Sequence, residues 1–307
     1  MPSDVLILTL LRAHIALSLG LLAAMALRAP ARRLIGPVLA YRLWAIGPVA
    51  ALTSLFPTLA EFIRPAVSVV HPVSGLLGAS LRAVTDGGFW TAPAHALLCA
   101  WASGAVVLGV AFVAGEVRFR RLAGRGLAGP AVVGVAAPRL VVPFDFAERF
   151  TPAERCFIRR HERVHMQRQD TLANLVIAVV QTLSWFNPLI HLAAKLARLD
   201  QELACDAQVV DGRPSDRRPY AEALMKVQLS RRRVGLACAW APGGRHPLEV
   251  RLSTLGRAEP SLRRHVAGAV AVVTLAVIVS TAVWSLAPRN GSSVIAGDHI
   301  FTEPPPH

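Results

Sequence analysis

Two histidines four residues apart flank a carboxylate in His161-Glu162-Arg163-Val164-His165. On a helix, positions i and i+4 share one face, so both imidazoles reach a single ion. Glu162 stands about 100° round the helix from His161, on the ion's open side. There a carboxylate can deprotonate a bound water and pass the proton to a leaving amine. A catalytic zinc needs a third protein ligand from elsewhere in the fold. Glu202-Leu203-Ala204-Cys205-Asp206 offers two more carboxylates four residues apart. Standing alone, such a pair reads as a charged helical surface. Beside a His-Glu-x-x-His helix it reads as a ligand, Glu202, and an acceptor, Asp206, for the second N–H of a metal-bound imidazole. Cys205 is a softer rival donor, but only three residues from Glu202 it reads as core. Arg168 and Asp170, just past the end of the histidine helix, form either a salt-bridged brace for that helix or a surface charge pair.

The elements that must position these groups are marked in the chain. Thr151-Pro152-Ala153-Glu154 is a capping box with proline at the first helical position, predicting a helix from 152 to about 169. Two β-like runs precede it, Val132 to Val135 and Leu140 to Val142, and either can hold a substrate as an added strand. The apolar run from Leu172 to Phe186 predicts a helix too short to span a bilayer comfortably, either buried in a core or lying against the membrane. Asn187-Pro188 then reads as N-cap and first-turn proline of the helix bearing Glu202. His191, His246 and His265 have no partner at ligand spacing and read as structural.

Composition sets the surroundings. The 307-residue chain is 53% hydrophobic and 17% charged, and its mean hydropathy is +0.46, which excludes disorder, collagen and a disulfide-stapled secreted fold. Cys99, Cys156, Cys205 and Cys238 form no CxxC pair, as expected of reduced thiols. Three runs, Val5–Leu27, Ala92–Gly115 and Val266–Ala287, are long enough to cross about 30 Å of hydrocarbon. Leu43 to about Ala60, with Gly47-Pro48 and Pro57, predicts a shorter, kinked second span. Of 33 basic residues only Lys195 and Lys226 are lysines. Arg28, Arg32, Arg33 and Arg42, then Arg118, Arg120, Arg121 and Arg125, then Arg257, Arg263 and Arg264 all flank the same side of these spans, predicting that side as cytoplasmic. Both termini are then outside, with an outer loop over 57–91, a cytoplasmic domain over 116–265 and an outer tail over 288–307. An acidic start has the wrong polarity for a cleaved signal peptide at Ala24-Met25-Ala26. Arg12 is expected to snorkel to the headgroups. Arg213, Arg217, Arg218 and Arg231-Arg232-Arg233 read as faces for anionic lipid, and nucleic acid is not expected, since neither interleaved aromatics nor a reading helix accompanies them.

Together, His161-Glu162-x-x-His165-x-x-Arg168-x-Asp170, Asn187-Pro188 and Glu202-Leu203-Ala204-Cys205-Asp206 resemble the BlaR/MecR-type antirepressor metallopeptidases. The resemblance implies a mainly α membrane protein of four transmembrane helices in the bacterial inner membrane. Its α+β zincin-like peptidase domain would lie between the third and fourth spans. It implies a gluzincin-like Zn2+ site with His161, His165 and Glu202 as ligands and Glu162 as base, held latent until a signal leads to inactivation of a transcriptional repressor, of winged-helix type. About 20 residues follow the fourth span, with Pro304-Pro305-Pro306 and without a Ser-x-x-Lys acylation motif, so the stimulus is expected through the outer loop, the tail or a separate sensor protein. The alternatives are a constitutive quality-control peptidase for membrane proteins and a non-catalytic transducer with a structural zinc.

Overall fold

The computed structural model describes residues 3–55, 91–230, 246–257 and 261–285. The predicted outer loop 57–91 (but for Thr91), the end of the second span, the Arg231–Arg233 run and the tail 288–307 fall outside those residues.

The described chain is helical apart from one small sheet. Helix α1 spans Ser3–Leu34, running past the predicted end through Arg28, Arg32 and Arg33. Gly36, at φ 87, breaks it, and Pro37 starts α2, Pro37–Arg42. A 3-10 turn, Leu43–Ala45, leads into α3, Ile46–Ser54. The predicted kinked span is therefore a helical run that starts six residues early and tightens in its middle. It packs on α1 through small residues: a Cβ on Gly20 would stand 2.6 Å from the Gly47 Cα. Helix α4 covers Thr91–Gly124. Among the described residues Thr9–Leu34, His95–Gly124 and Leu262–Ala282 are long and apolar enough to cross a membrane; the last belongs to α11, Leu262–Ser285.

Strands β1, Ala131–Val133, and β2, Arg139–Val141, pair antiparallel with Val132 opposite Leu140, turning through Gly134 at φ 95. After the short α5, Phe146–Arg149, comes α6, Pro152–Gln167, whose capping box is formed as predicted. The helix stops two residues before the expected 169 because Gln169 turns left-handed at φ 56 and redirects the chain into α7, Asp170–Leu183. Asn187 caps α8, Pro188–Val209, accepting from the Leu189 N–H at 3.0 Å. Helix α9 is Arg217–Ser230, and α10, Pro247–Leu255, is capped by His246. His191 likewise is structural, bonded to Gln181 and to the Trp185 carbonyl.

Three apolar clusters hold the arrangement. One joins Leu17, Leu21 and Ala24 of α1 to Ile190, Ala193 and Ala197 of α8. A second packs Val164 and Cys205 against Val209, Tyr220, Leu224 and Leu255. The third seats Ile158 between Phe146, Phe150 and Val227. The second cluster fixes the histidine helix α6 against the carboxylate helix α8, while the first and third anchor α8 on α1 and α6 on α5 and α9.

Candidate metal centre

Helix α6 presents His161 and His165 on one face, as the i, i+4 spacing requires, with ring centroids 4.7 Å apart and planes at 86°. Their Nε2 atoms are 3.1 Å apart. Helix α8 brings in Glu202, one carboxylate oxygen 3.4 Å from His161 Nε2 and the other 3.7 Å from His165 Nε2. Four ligands about 2.0–2.1 Å from one ion in a tetrahedral array stand roughly 3.3–3.4 Å from each other. The three donors converge at that spacing.

The far sides of both rings decide the tautomers. His165 Nδ1 donates to Asp170 Oδ2 at 2.6 Å. Tyr220 donates its hydroxyl proton to Asp206 Oδ1 at 2.5 Å, so its oxygen accepts from His161 Nδ1 at 2.8 Å. With both Nδ1 positions donating, the two Nε2 atoms face each other at 3.1 Å and point to one place, which a shared cation can occupy in place of a proton. Asp206 itself lies 3.4 Å from His161 Nδ1. The predicted acceptor therefore works through Tyr220.

Asp206 is fully buried and held by Arg251 through two bonds of 2.7 Å. The same guanidinium reaches Glu202 Oε2 at 2.9 Å, fixing the carboxylate's orientation. Arg168 stacks on the Tyr41 ring at 4.9 Å and comes within 3.5 Å of Asp170, so this pair braces the centre from within the protein. Gln201 adds a bond to the Asp170 carbonyl at 3.4 Å and one to the Tyr41 hydroxyl at 3.1 Å.

Four carboxylates (Glu162, Asp170, Glu202, Asp206) and two guanidiniums (Arg168, Arg251) surround the imidazoles, leaving two negative charges in excess. Burial opposes charge on His161, but Tyr220, Cys205 and Asp206 raise its pKa well above the usual value. His165 is pushed up to about 10 against burial, chiefly by its bond to Asp170. Burial pushes the Glu202 and Asp206 carboxyls up, yet His161, Arg251 and His165 hold Glu202, and Arg251 and His161 hold Asp206, below the ordinary carboxylate range. Such a site attracts positive charge, and a dication can take the place of the imidazole protons.

Cys205 Sγ also lies within 4.8 Å of a nitrogen of each ring. It sits on the protonated side of His161, 3.4 Å from Nδ1, and donates to the His161 carbonyl at 3.3 Å. Its side chain is fully buried in the second apolar cluster, in agreement with the core reading.

Glu162 opens onto a cavity of about 230 Å³ lined also by Val132 of β1, Ile158, Asn174, Leu224 and Val227. Its side chain is buried, and among the described residues no hydrogen bond or ion pair claims it. Asn174 Oδ1 is buried beside it without a hydrogen-bond partner there. Sequence spacing does not point to Asn174, Tyr220 or Arg251. The first lies in an apolar helix, and the other two sit 59 and 90 residues past His161 on separate helices.

Comparison with known proteins fits this geometry. A family model described as BlaR1 peptidase M56 matches residues 8–128 and 123–255. The regulatory protein BlaR1 of Bacillus licheniformis is 30% identical over 100 residues, 32% of this chain and 16% of the relative. The methicillin resistance mecR1 protein of Staphylococcus aureus strain Mu50 is 28% identical over 102 residues, 33% of this chain and 17% of the relative. The chain thus matches only about a sixth of the length of these relatives, and no solved structure matches it. By the span of the family match, which takes in α1 to α10 and all the residues of the centre, the chain belongs to the BlaR1 peptidase M56 family.

Proposed function

We propose that this chain is a zinc endopeptidase of the bacterial inner membrane that relays an envelope signal by cleaving a cytoplasmic transcriptional repressor. The observation that carries the reading is the meeting of the two Nε2 atoms and the Glu202 carboxylate at 3.1–3.7 Å, with Glu162 buried on the same cavity. His161, His165 and Glu202 would hold the ion, and zinc bound there supplies a Lewis acid for the scissile carbonyl and the attacking water. Glu162 takes the water's proton on a carboxylate oxygen and returns it to the departing amine nitrogen. Tyr220 with Asp206, and Asp170 on the other ring, keep the Nδ1 positions protonated and the Nε2 positions free. Arg251 fixes the direction of Glu202. The cavity's apolar wall of Ile158, Leu224 and Val227 suits an apolar substrate side chain.

The arginine flanks support four spans with both termini outside and a peptidase domain, 116–265, on the cytoplasmic side of the membrane. The names of the relatives, a regulatory protein and methicillin resistance proteins, support a regulatory substrate over bulk turnover. A free carboxylate beside the candidate ligands has no purpose in a purely structural zinc site, which disfavours the non-catalytic transducer.

The test is Glu162→Gln. The variant is expected to keep one zinc per chain and lose about 10²–10⁴-fold in peptide hydrolysis, with repressor fragments found by mass spectrometry in wild-type cells only. Purified wild-type protein without metal, or a variant that cleaves as well as the wild type, overturns the reading.

A further inference from the structure

We propose that α7 and the first half of α8 form a helical hairpin that enters the bilayer beside α1 and α4, with the outer face of α7 covered by lipid acyl chains. The inference does not depend on what the metal cavity does.

The first observation is a face without a protein partner. Leu172, Leu175, Val176, Val179 and Leu183 lie at helical spacing along α7 and are all exposed. The opposite side, with Ile177 and Val180, packs on the cluster joining α1 and α8. Five large apolar side chains in water on one 14-residue helix make a patch that a soluble surface rarely carries. The patch neighbours α4, whose Val106, Val107, Val110 and Val113 are exposed in turn. None of the apolar window of α4 is buried by protein, as expected of a helix ringed by lipid.

Depth is the second observation. The Leu183 carbonyl, at the tip of α7, accepts from Trp101 Nε1 at 2.8 Å and lies 3.3 Å from His14 Nε2. Trp101 and His14 belong to α4 and α1, inside the two apolar stretches His95–Gly124 and Thr9–Leu34. A Cβ on Gly104 would stand 2.1 Å from the Trp185 ring, and one on Gly109, halfway along the α4 stretch, would stand 3.5 Å from the Thr182 methyl. The tip therefore lies beyond the midpoint of α4, away from its basic end at Arg118, Arg120 and Arg121. Along α1 the tip bonds through Asn187 to Ser18 at 3.1 Å, and the base through Asp200 to Arg28 at 2.8 Å. Ten residues of α1 separate these contacts, about 15 Å at about 1.5 Å per residue. That is half of a hydrocarbon core about 30 Å thick.

The tip is also finished as hydrocarbon requires, where backbone polar groups must find partners inside the protein. Besides Leu183, the Trp185 carbonyl accepts from His191 at 2.9 Å, Trp185 Nε1 donates to the Trp101 carbonyl at 3.1 Å, and Gln181 meets His191 at 3.0 Å. His14, an ionisable residue inside an apolar helix, thereby closes a hairpin. The base of the hairpin carries Asp200 on Arg28 and Arg32, the basic end of α1, where the headgroup belt is expected.

The test uses the full chain in phospholipid vesicles, with Cys99, Cys156 and Cys238 changed to serine and a bimane label on Val179→Cys or, as the solvent reference, on the exposed Leu229→Cys of α9. Nitroxide groups on the acyl chains are expected to quench the label at 179, with loss of quenching by aqueous iodide there and the reverse pattern at 229. Iodide quenching at 179 equal to that at 229, or a disulfide between two copies through Val179→Cys, overturns the proposal. The unmodified chain supplies a second reading should the variants fail to fold. A phospholipid with a diazirine on its acyl chain is expected to label peptides covering 172–183 and to spare 217–229; an unlabelled 172–183 stretch again overturns it.

Discussion

Arg28 and Asp200 lie 172 residues apart in sequence and form a two-pronged ion pair, with Nε to Oδ2 at 2.8 Å and Nη2 to Oδ1 at 3.0 Å. Arg32 approaches the same carboxylate at 3.4 Å, and Trp44 donates to it at 2.8 Å. Asp200 is 1% exposed and stands two residues before Glu202. The first apolar helix is thus bonded directly to the helix that carries Glu202, the candidate third metal donor.

Removing one partner of a buried pair leaves the other charge uncompensated, at a cost of about 3–5 kcal/mol. Arg28→Ala is expected to destabilise the protein by that order, and Arg28→Lys by less, because lysine keeps the charge but loses the fork. Denaturant unfolding in detergent micelles measures both. A loss from Arg28→Ala as small as that from Arg28→Lys would mean that Arg32 and Trp44 already satisfy Asp200.

Tyr220→Phe keeps the ring beside Phe157, at 6.0 Å between centroids, and deletes only the hydroxyl between His161 and Asp206. Groups that orient a metal-bound histidine in this way are worth about 10–100-fold in metal affinity. Competition against a chromophoric chelator is expected to show zinc affinity falling by that factor. An unchanged affinity would move the orienting role to Asp206 alone.

The choice between Glu202 and Cys205 as third ligand can be read from colour. With cobalt in place of zinc, a thiolate ligand gives a strong sulfur-to-metal charge-transfer band in the near ultraviolet, and a carboxylate does not. The wild-type protein is expected to lack that band, Cys205→Ala to keep its metal, and Glu202→Ala to lose it. A charge-transfer band that disappears in Cys205→Ala would reverse the assignment.

How much of this was legible in the sequence depends on how local each signal is. The capped helix over His161 and His165 and the Asn187-Pro188 start of α8 are written within a few residues, and the structure has both. Glu202 is legible because it repeats the i, i+4 rule on a second apolar-backed helix. Asp206 and Asp170 were visible as candidates, but which ring each serves depends on how α6 and α8 cross. Tyr220 and Arg251 carry no motif, since their geometry comes from α9 and α10 folding back over Asp206. The 172–186 run was ambiguous for a physical reason: apolarity alone is the same for a buried core and for lipid. Contacts made across the fold, such as those of Leu183 with Trp101 and His14, place it beside the apolar helices. The early stop at Gln167 was likewise hidden, because a left-handed non-glycine residue such as Gln169 has no strong local signature.

Glu154 gives the stability of the histidine helix a pH dependence of definite sign. Its carboxylate accepts from the Thr151 N–H at 2.8 Å and pairs with Lys226 of α9 at 2.8 Å, tying the start of α6 to α9. Those contacts, Lys226 first, hold its pKa below the ordinary glutamate value. A depressed pKa means that the folded protein favours the charged form. The stabilisation is then complete above the unfolded value and fades as pH falls below it through the folded value. Unfolding midpoints of the wild type are expected to fall with acidification below about pH 4.3 more steeply than those of Lys226→Ala, which lacks the main cause of the shift. Thr151→Ala removes the other half of the capping box and should cost about 1 kcal/mol at neutral pH. Parallel acid limbs in the wild type and Lys226→Ala would show that the ion pair, although formed, does not contribute to holding α6 in place.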